Sequence, residues 1–396
     1  MAAIEGHVRL KPAEDERIRN GHVWVYDNEI AKVEGGPRSG GLVWIEDDRG
    51  RKLGTGFYAG QSVIAVRLLT RGAKSGFGPD EISARLAGAL AKRKPLDFDC
   101  LRLVNAEGDY LPGLVIDRYG GAVVIQPKIV AWELPEWEDQ IIQSVTRHLK
   151  PASTLVKRAS GTERAGAAPA AGGQVREGDP DTGAIVREGG LEIEVDIAGG
   201  HKTGFYIDQR ENRKSLLPFV AGKHVLDCFC YSGAWSCMCA AAGAEEVTGV
   251  DSSQAAVGLA RANAERTGLA GKTSFVAADV FDYLPEAARS LEKYDVIILD
   301  PPSLARTRKQ VAGAMRGYIH INKVAMGLLR PGGILVTCSC SYHMTRERFM
   351  EMLRHTSTLV RKQVSVMRTG GQPEDHPSLL GVPETDYLKC VTLRVE

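Results

Sequence analysis

A thiol and a carboxylate stand where chemistry could occur. Cys338 and Cys340 follow the apolar run Ile334-Leu335-Val336, and Asp300-Pro301-Pro302 follows Val296-Ile297-Ile298-Leu299. Prolines directly after a strand fix the backbone as it leaves a sheet, so Asp300 is expected at the rim. A cysteine just beyond a strand suggests a nucleophile, because thiolates attack carbon readily. Cys338, still close to the strand, is expected to pack in the core, with Cys340 in the turn beyond. A second constellation lies at 223–251, KHVLDCFCYSGAWSCMCAAAGAEEVTGVD. Val225-Leu226-Asp227 reads as a buried strand, Tyr231-Ser232-Gly233 as a tight turn, 234–242 as a helix, and Val247-Thr248-Gly249-Val250 as a strand ending in Asp251. This order is the front half of a nucleotide-binding sheet, with the ligand at a helix N-terminus and Asp251 on the two ribose hydroxyls. Gly233 alone stands in the turn, so the three-glycine dinucleotide fingerprint is absent. S-adenosylmethionine has a ribose and no pyrophosphate and fits better, with a dinucleotide left open.

The elements that must position these residues alternate. Helix 253–267 ends at Gly268, Ser274-Phe275-Val276 is a strand followed by Asp279, and the helix around 318–329 closes at Pro331-Gly332-Gly333. Strands alternating with helices imply a parallel sheet covered on both faces, with functional residues beyond the strands' carboxyl ends. Upstream, residues 1 to about 74 read as a small β-rich barrel or sandwich with one short helix within 12–20. Its strand candidates lie at 22–26, 42–45 and 62–68. A linker and a helix follow over 75–94, ending in Lys92-Arg93-Lys94, a run expected to be a solvated helix end. Paired strands at 114–117 and 122–126 join through Tyr119-Gly120-Gly121, a hairpin signal. An amphipathic helix over 132–149 and strands at 154–157 and 193–195 complete a middle domain. The stretch 159–183 is rich in Gly, Ala and Pro, and is expected to be a flexible loop.

Composition sets bounds. The 396 residues carry a net charge of +1 with 25% charged residues, so no global field advertises nucleic acid and any basic surface must be local. No run of about 18 apolar residues exists, so no membrane partner is expected, and the N-terminus is too polar for a signal peptide. The eight cysteines lack zinc-site spacing and suit a reduced, cytoplasmic setting, with no metal expected.

A resemblance sharpens these readings. GFYIDQR (204–210), DCFCYSG (227–233), GVDSS (249–253), ILDPPS (298–303), RGYIHIN (316–322) and GGILVTCSCS (332–341) resemble the PUA-linked, S-adenosylmethionine-dependent methyltransferases that make 5-methylcytosine in 23S ribosomal RNA. NAEGDYLPGLVIDRYG (105–120) is similar to that family's middle domain, and EDHP (374–377) with YLK (387–389) to its C-terminal end. The fold implied is α/β: a Rossmann-like class I methyltransferase domain over 191–396, an N-terminal β-barrel PUA-like domain over 1–74, and an α+β middle domain over 75–190. The resemblance implies S-adenosylmethionine held by Gln209, Phe229, Tyr231, Gly233, Asp251, Ser252, Asp279, Val280, Asp300 and Pro301, with Asp279 near the adenine. It makes Cys340 the nucleophile and Asp300 part of the motif facing the target base. Arg306, Arg308 and Lys309 are candidates for holding phosphates of the RNA, with a solvated basic loop as the alternative. Ser303 follows the two prolines, so a second cysteine for product release is not available there.

Carbon 5 of cytosine is a poor nucleophile until a thiolate adds at carbon 6. An ordinary thiol of pKa about 8.5 is only a few per cent ionised at pH 7, so some group must favour its thiolate. Neither that group nor the base that removes the carbon-5 proton is legible in the sequence. Two other classes stay open: a methyltransferase acting on a nitrogen of guanine or adenine, and a non-catalytic RNA-binding assembly factor. The nitrogen enzymes usually carry an aromatic where Ser303 stands. Oligomeric state, monomer or homodimer, is not legible either.

Overall fold

The structure is a computed structural model that describes residues 3–73, 76–158, 173–178, 185–305 and 308–396. The chain divides into two compact units and passes between them five times. One comprises Met1–Ala184, Asp196–Phe205 and Glu374–Thr385; the other comprises Ile185–Val195, Tyr206–Pro373 and Asp386–Glu396.

The first unit begins with six strands, β1 (Ile4–Leu10), β2 (Trp24–Tyr26), β3 (Ile30–Glu34), β4 (Leu42–Glu46), β5 (Lys52–Tyr58) and β6 (Ile64–Arg71), with helix α1 (Glu16–Arg19) after β1. They form one sheet in the order β2-β6-β5-β4-β1-β3. Its edge strands β2 and β3 are joined by the 3-10 turn Asp27–Glu29. A flat six-stranded sheet would hold its edges about 24 Å apart, farther than so short a link reaches, so this sheet must curl toward a barrel. It is curled but not closed by pairing, a refinement of the expected barrel.

Next come α2 (Pro79–Arg93), β7 (Cys100–Asn105), β8 (Leu114–Tyr119), β9 (Ala122–Pro127), α3 (Pro135–Leu149), β10 (Ser153–Lys157) and β11 (Gly173–Gly178), the strands ordered β11-β10-β9-β8-β7. The β8–β9 hairpin turns at Gly120 and Gly121 as the sequence suggests. Two expectations fail here. Arg93 is not a solvated helix end: it is buried, donating to both oxygens of Asp109 at 2.7 Å and to the Asp375 carbonyl at 2.7 Å. Position in a basic run says nothing of what a helix end packs against. Of the expected loop 159–183, Gly173–Gly178 is a strand paired antiparallel with β10. A backbone ladder needs no large apolar side chains, so composition could not reveal it. The remainder of that stretch lies outside the described residues.

The second unit opens with the hairpin β12 (Ile185–Glu188) and β13 (Leu191–Glu194). A boundary at 190/191 would cut that hairpin at its turn; the unit begins at Ile185. Glu188 accepts from Nε and an Nη of Arg213 on α4 (Arg210–Leu216) at 2.6 and 2.7 Å, a buried bidentate pair that fastens the hairpin. Then follow β14 (His224–Cys228), α5 (Ala234–Ala241), β15 (Glu246–Asp251), α6 (Gln254–Arg266), β16 (Thr273–Ala277), α7 (Val280–Arg289), β17 (Tyr294–Leu299), α8 (Val311–Leu328), β18 (Leu329–Ser339), α9 (Arg346–Val360), β19 (Val364–Gly370) and β20 (Lys389–Val395). The sheet order is β16-β15-β14-β17-β18-β20-β19, parallel from β16 to β18. β20 inserts antiparallel between β18 and β19, so the sheet is not wholly parallel as expected. Strand order reverses between β14 and β17, which makes their carboxyl ends the switch point where such sheets bind ligands. Among the described residues no helix is long and apolar enough to cross a membrane.

Candidate active site

Beyond β14 the chain turns through left-handed backbone at Phe229 (φ 65°), Tyr231 (φ 47°) and Gly233 (φ 75°). Only glycine suits the last position, where an added Cβ would lie 2.9 Å from the Cβ of Ala260. The amides of Phe229 and Cys230 donate to the Val250 carbonyl at 2.8 and 3.1 Å, tying the turn to β15. Asp251 ends β15. Its Oδ2 accepts from the Tyr231 amide at 3.0 Å and its Oδ1 from the Ser253 amide at 2.9 Å. Each carboxylate oxygen keeps a further lone pair, so the group can also accept from two neighbouring hydroxyls. That acceptor pair at the switch point fits the ribose of S-adenosylmethionine.

The turn is fixed from behind by Asn263 of α6, which is buried. Its amide nitrogen donates to the Ser232 and Glu194 carbonyls at 3.0 and 3.1 Å, and its oxygen accepts from the Glu194 amide at 2.7 Å. Beyond β16, Asp279 is exposed and caps α7 by accepting from the Phe281 amide at 2.8 Å. Phe229 meets Phe281 edge-on, with centroids 6.4 Å apart. Ser252 is exposed beside Asp251, whereas Val280 is buried in the core.

Asp300 follows β17, and its carboxylate is held on both sides. Oδ1 accepts from the Gln209 side-chain amide at 2.8 Å, and Oδ2 from the Trp235 indole at 3.3 Å. Gln209 is itself oriented by Asn212, which donates to its oxygen at 2.7 Å and to the Gly371 carbonyl at 3.0 Å. Underneath, Asp227 of β14 is fully buried. Its Oδ2 accepts from the amide and hydroxyl of Ser236 at 3.1 and 2.6 Å, while Oδ1 has no hydrogen-bond partner among the described residues. Burial pushes this carboxyl up to about 7 against the Ser236 bonds, helped by the charges of Asp300 and Asp251.

The two thiols separate as their places predict. Cys338 is fully buried on β18 opposite Cys390, and burial drives its pKa well up. Cys340 lies one residue past β18, is partly exposed, and its sulfur is 3.9 Å from the Pro301 carbonyl oxygen. The other seven cysteines are buried. Pro301 is buried, and the Ser303 hydroxyl meets that of Ser341 at 3.1 Å, so the Asp300 turn and the Cys340 turn lie against each other. Tyr318 of α8 reinforces the second turn through bonds to the Ser339 and Ser341 hydroxyls at 2.9 and 3.3 Å.

The structure therefore gathers Gln209, Asp300, Pro301 and Cys340 in one cluster, with Phe229, Tyr231, Gly233 and Asp251 at the neighbouring strand ends. Arg306 lies outside the described residues. Arg308 and Lys309 belong to the 3-10 turn Arg308–Gln310, where Lys309 is exposed. Sequence reasoning missed Trp235, Asn263, Asp227 and Tyr206 beside the predicted site residues. Tyr206 packs edge-on against Tyr231 at 5.3 Å. An aspartate inside an apolar strand was a visible signal for Asp227, while Asn263 sits in an ordinary polar helix and offered none.

The chain is similar to known proteins over nearly its whole length. A family model described as a PUA-like domain matches residues 8–71, and one described as an S-adenosylmethionine-dependent methyltransferase matches residues 157–370. A protein of Shewanella denitrificans named ribosomal RNA large subunit methyltransferase I is 36% identical over 98% of this chain and 99% of its own. One of the same name from Photobacterium profundum is 36% identical over 96% of this chain and 97% of its own. Among solved structures, a Streptococcus mutans chain provisionally described as an S-adenosylmethionine-dependent methyltransferase superposes with a TM-score of 0.85 at 21% identity, covering 99% of this chain and 100% of that one. Another methyltransferase chain, solved with SAH, gives a TM-score of 0.86 at 23% identity over the same shares.

Proposed function

Because this chain belongs to the ribosomal RNA large subunit methyltransferase I family, we propose that it methylates carbon 5 of a cytosine in 23S ribosomal RNA through a transient bond between Cys340 and the base. The observation that carries this reading is the place of Cys340. It is the partly exposed thiol past β18, and its turn packs on the Asp300-Pro301 turn at the switch point.

When bound, S-adenosylmethionine supplies an electrophilic methyl group on a sulfonium. The turn 229–233 and Asp251 hold it, with Asp279 and Phe281 at the next strand end. Asp300, held in place by Gln209 and Trp235, accepts from the amino group of the cytosine and orients the ring. The Cys340 thiolate adds to carbon 6, and the displaced electron pair makes carbon 5 nucleophilic. Once carbon 5 is methylated, its proton passes to water, the C–H electron pair re-forms the carbon 5–carbon 6 double bond, and the sulfur–carbon pair leaves with sulfur to return the thiolate. A base paired in a stem must first unstack, at a few kcal/mol, to reach Cys340. Arg308 and Lys309 are candidates for holding phosphates of the surrounding RNA, and the PUA-like domain is a separate candidate for RNA binding.

The test uses ribosomal RNA, labelled donor and mass-spectrometric mapping of the methylated nucleotide. Cys340→Ala should abolish transfer and keep donor affinity, and Cys338→Ala should keep most activity. RNA carrying 5-fluorocytosine should trap the wild-type protein covalently, since fluorine cannot leave as a proton does. Full activity of Cys340→Ala, or methyl on a purine nitrogen, would overturn the reading.

A further inference from the structure

The thiol of this mechanism needs a counter-charge, and the structure offers one from the far end of the chain. Lys389 opens β20 and pairs in register with Ser339, the last residue of β18. Its side chain is buried (the residue is 2% exposed), and its ammonium donates to the Ser341 carbonyl at 2.8 Å and the Tyr387 carbonyl at 2.6 Å. Ser341 is the residue directly after Cys340. An ammonium has three N–H donors, so these two carbonyls leave a third to point elsewhere.

We propose that Lys389 is a positioning residue whose ammonium favours the thiolate of Cys340 and fixes the turn that presents it. This rests on Cys340 as the reacting thiol, yet it concerns the ionisation of that thiol and can be measured without RNA or donor. Removal of the Cys340 proton to water leaves a negative sulfur, and a positive charge in a poorly solvated site makes that cheaper. The coupling is mutual: burial lowers Lys389 to about 8, and the charge of Cys340 is the first influence holding it up.

Other charges face the pair. The Asp300 carboxylate, beyond β17, opposes ionisation of the thiol, although its oxygens already accept from Gln209 and Trp235. The phenols of Tyr206 and of Tyr318 on α8 feel the Cys340 charge, and burial keeps both protonated. Cys338, on the strand that leads to Cys340, is held neutral by burial. On the lysine side, Asp386 supports the ammonium, and Arg346 at the start of α9 opposes it. Lys389 is thus the positive group set against the residues that would keep Cys340 protonated.

The experiment follows alkylation of Cys340 by iodoacetamide against pH, with the modified peptide quantified by mass spectrometry. Wild-type Cys340 should ionise below the ordinary thiol value of about 8.5. Lys389→Met should raise its apparent pKa by about one unit and slow alkylation at neutral pH about tenfold, with Lys389→Arg restoring much of it. A lysine that merely packs would change stability without moving this profile. An unchanged profile in folded Lys389→Met would overturn the proposal. If that variant does not fold, a wild-type apparent pKa at or above the ordinary value would do the same. Methyl transfer by Cys340→Ala would instead refute the nucleophile and leave the ionisation result standing.

Discussion

Asp251 and Asp227 show how one residue type takes opposite roles by environment. Asp251 sits at the rim with two backbone donors and spare lone pairs. Charge-assisted bonds to a ribose contribute roughly 1.5–3 kcal/mol, so Asp251→Ala should weaken S-adenosylmethionine binding about ten- to a hundredfold in calorimetry. Unchanged affinity would move the ribose elsewhere. Asp227, one strand away, is buried with one oxygen unpartnered, and its pKa stands at about 7 in the native state. An unfolded aspartate titrates near about 3.9. Between these values the native state holds a proton that the unfolded state lacks, so this group makes stability fall as pH rises from about 4 to 7. Asp227→Asn should remove that slope. Urea unfolding midpoints measured across this range would show it, and identical slopes in the two proteins would contradict the assignment.

At the scale of elements, the glycine turn is held by a helix and a hairpin that sequence order keeps far apart. Asn263 of α6 joins Ser232 in the turn to Glu194 of β13 through three hydrogen bonds, in a site without exposure to water. Replacement by alanine leaves buried carbonyl and amide groups unsatisfied, at about 1–3 kcal/mol. Asn263→Ala should therefore lower the melting temperature and also weaken donor binding, because the turn loses its anchor. Calorimetry of both quantities tests the coupling; a stability loss with intact affinity would show that the turn holds its shape alone.

For the whole molecule, the last strand decides the integrity of the second unit. β20 pairs with both β18 and β19, so it is interior to the sheet although it comes last in the chain. Deleting residues 386–396 would strip β19 of its one partner strand among the described residues, expose the edge of β18 and remove Lys389. Such a truncation should lose donor binding and aggregate, as light scattering and donor titration would report. Retained binding would mean that the parallel core from β16 to β18 suffices.

What the sequence determined by itself is local and chemical. The strand–turn–helix–strand–acid order, the Asp300 turn, and the place of Cys340 relative to Cys338 follow from short-range pattern, because strand ends and glycine turns are encoded within a few residues. Likewise, alternation of strands with helices implied the parallel sheet, and Gly120 with Gly121 marked the hairpin. Tertiary structure decided whatever depends on partners remote in sequence. Arg93 became buried because Asp109 and Asp375 meet it, and Gly173–Gly178 became a strand because β10 offers an edge. Asp300 is held by Gln209 and Trp235, residues 91 and 65 positions away. The counter-charge for Cys340 comes from Lys389, 48 positions beyond its Ser341 contact. Periodicity records which face of an element is apolar. It does not record which polar group another element brings to that face, and that pairing sets the charge and protonation of the site.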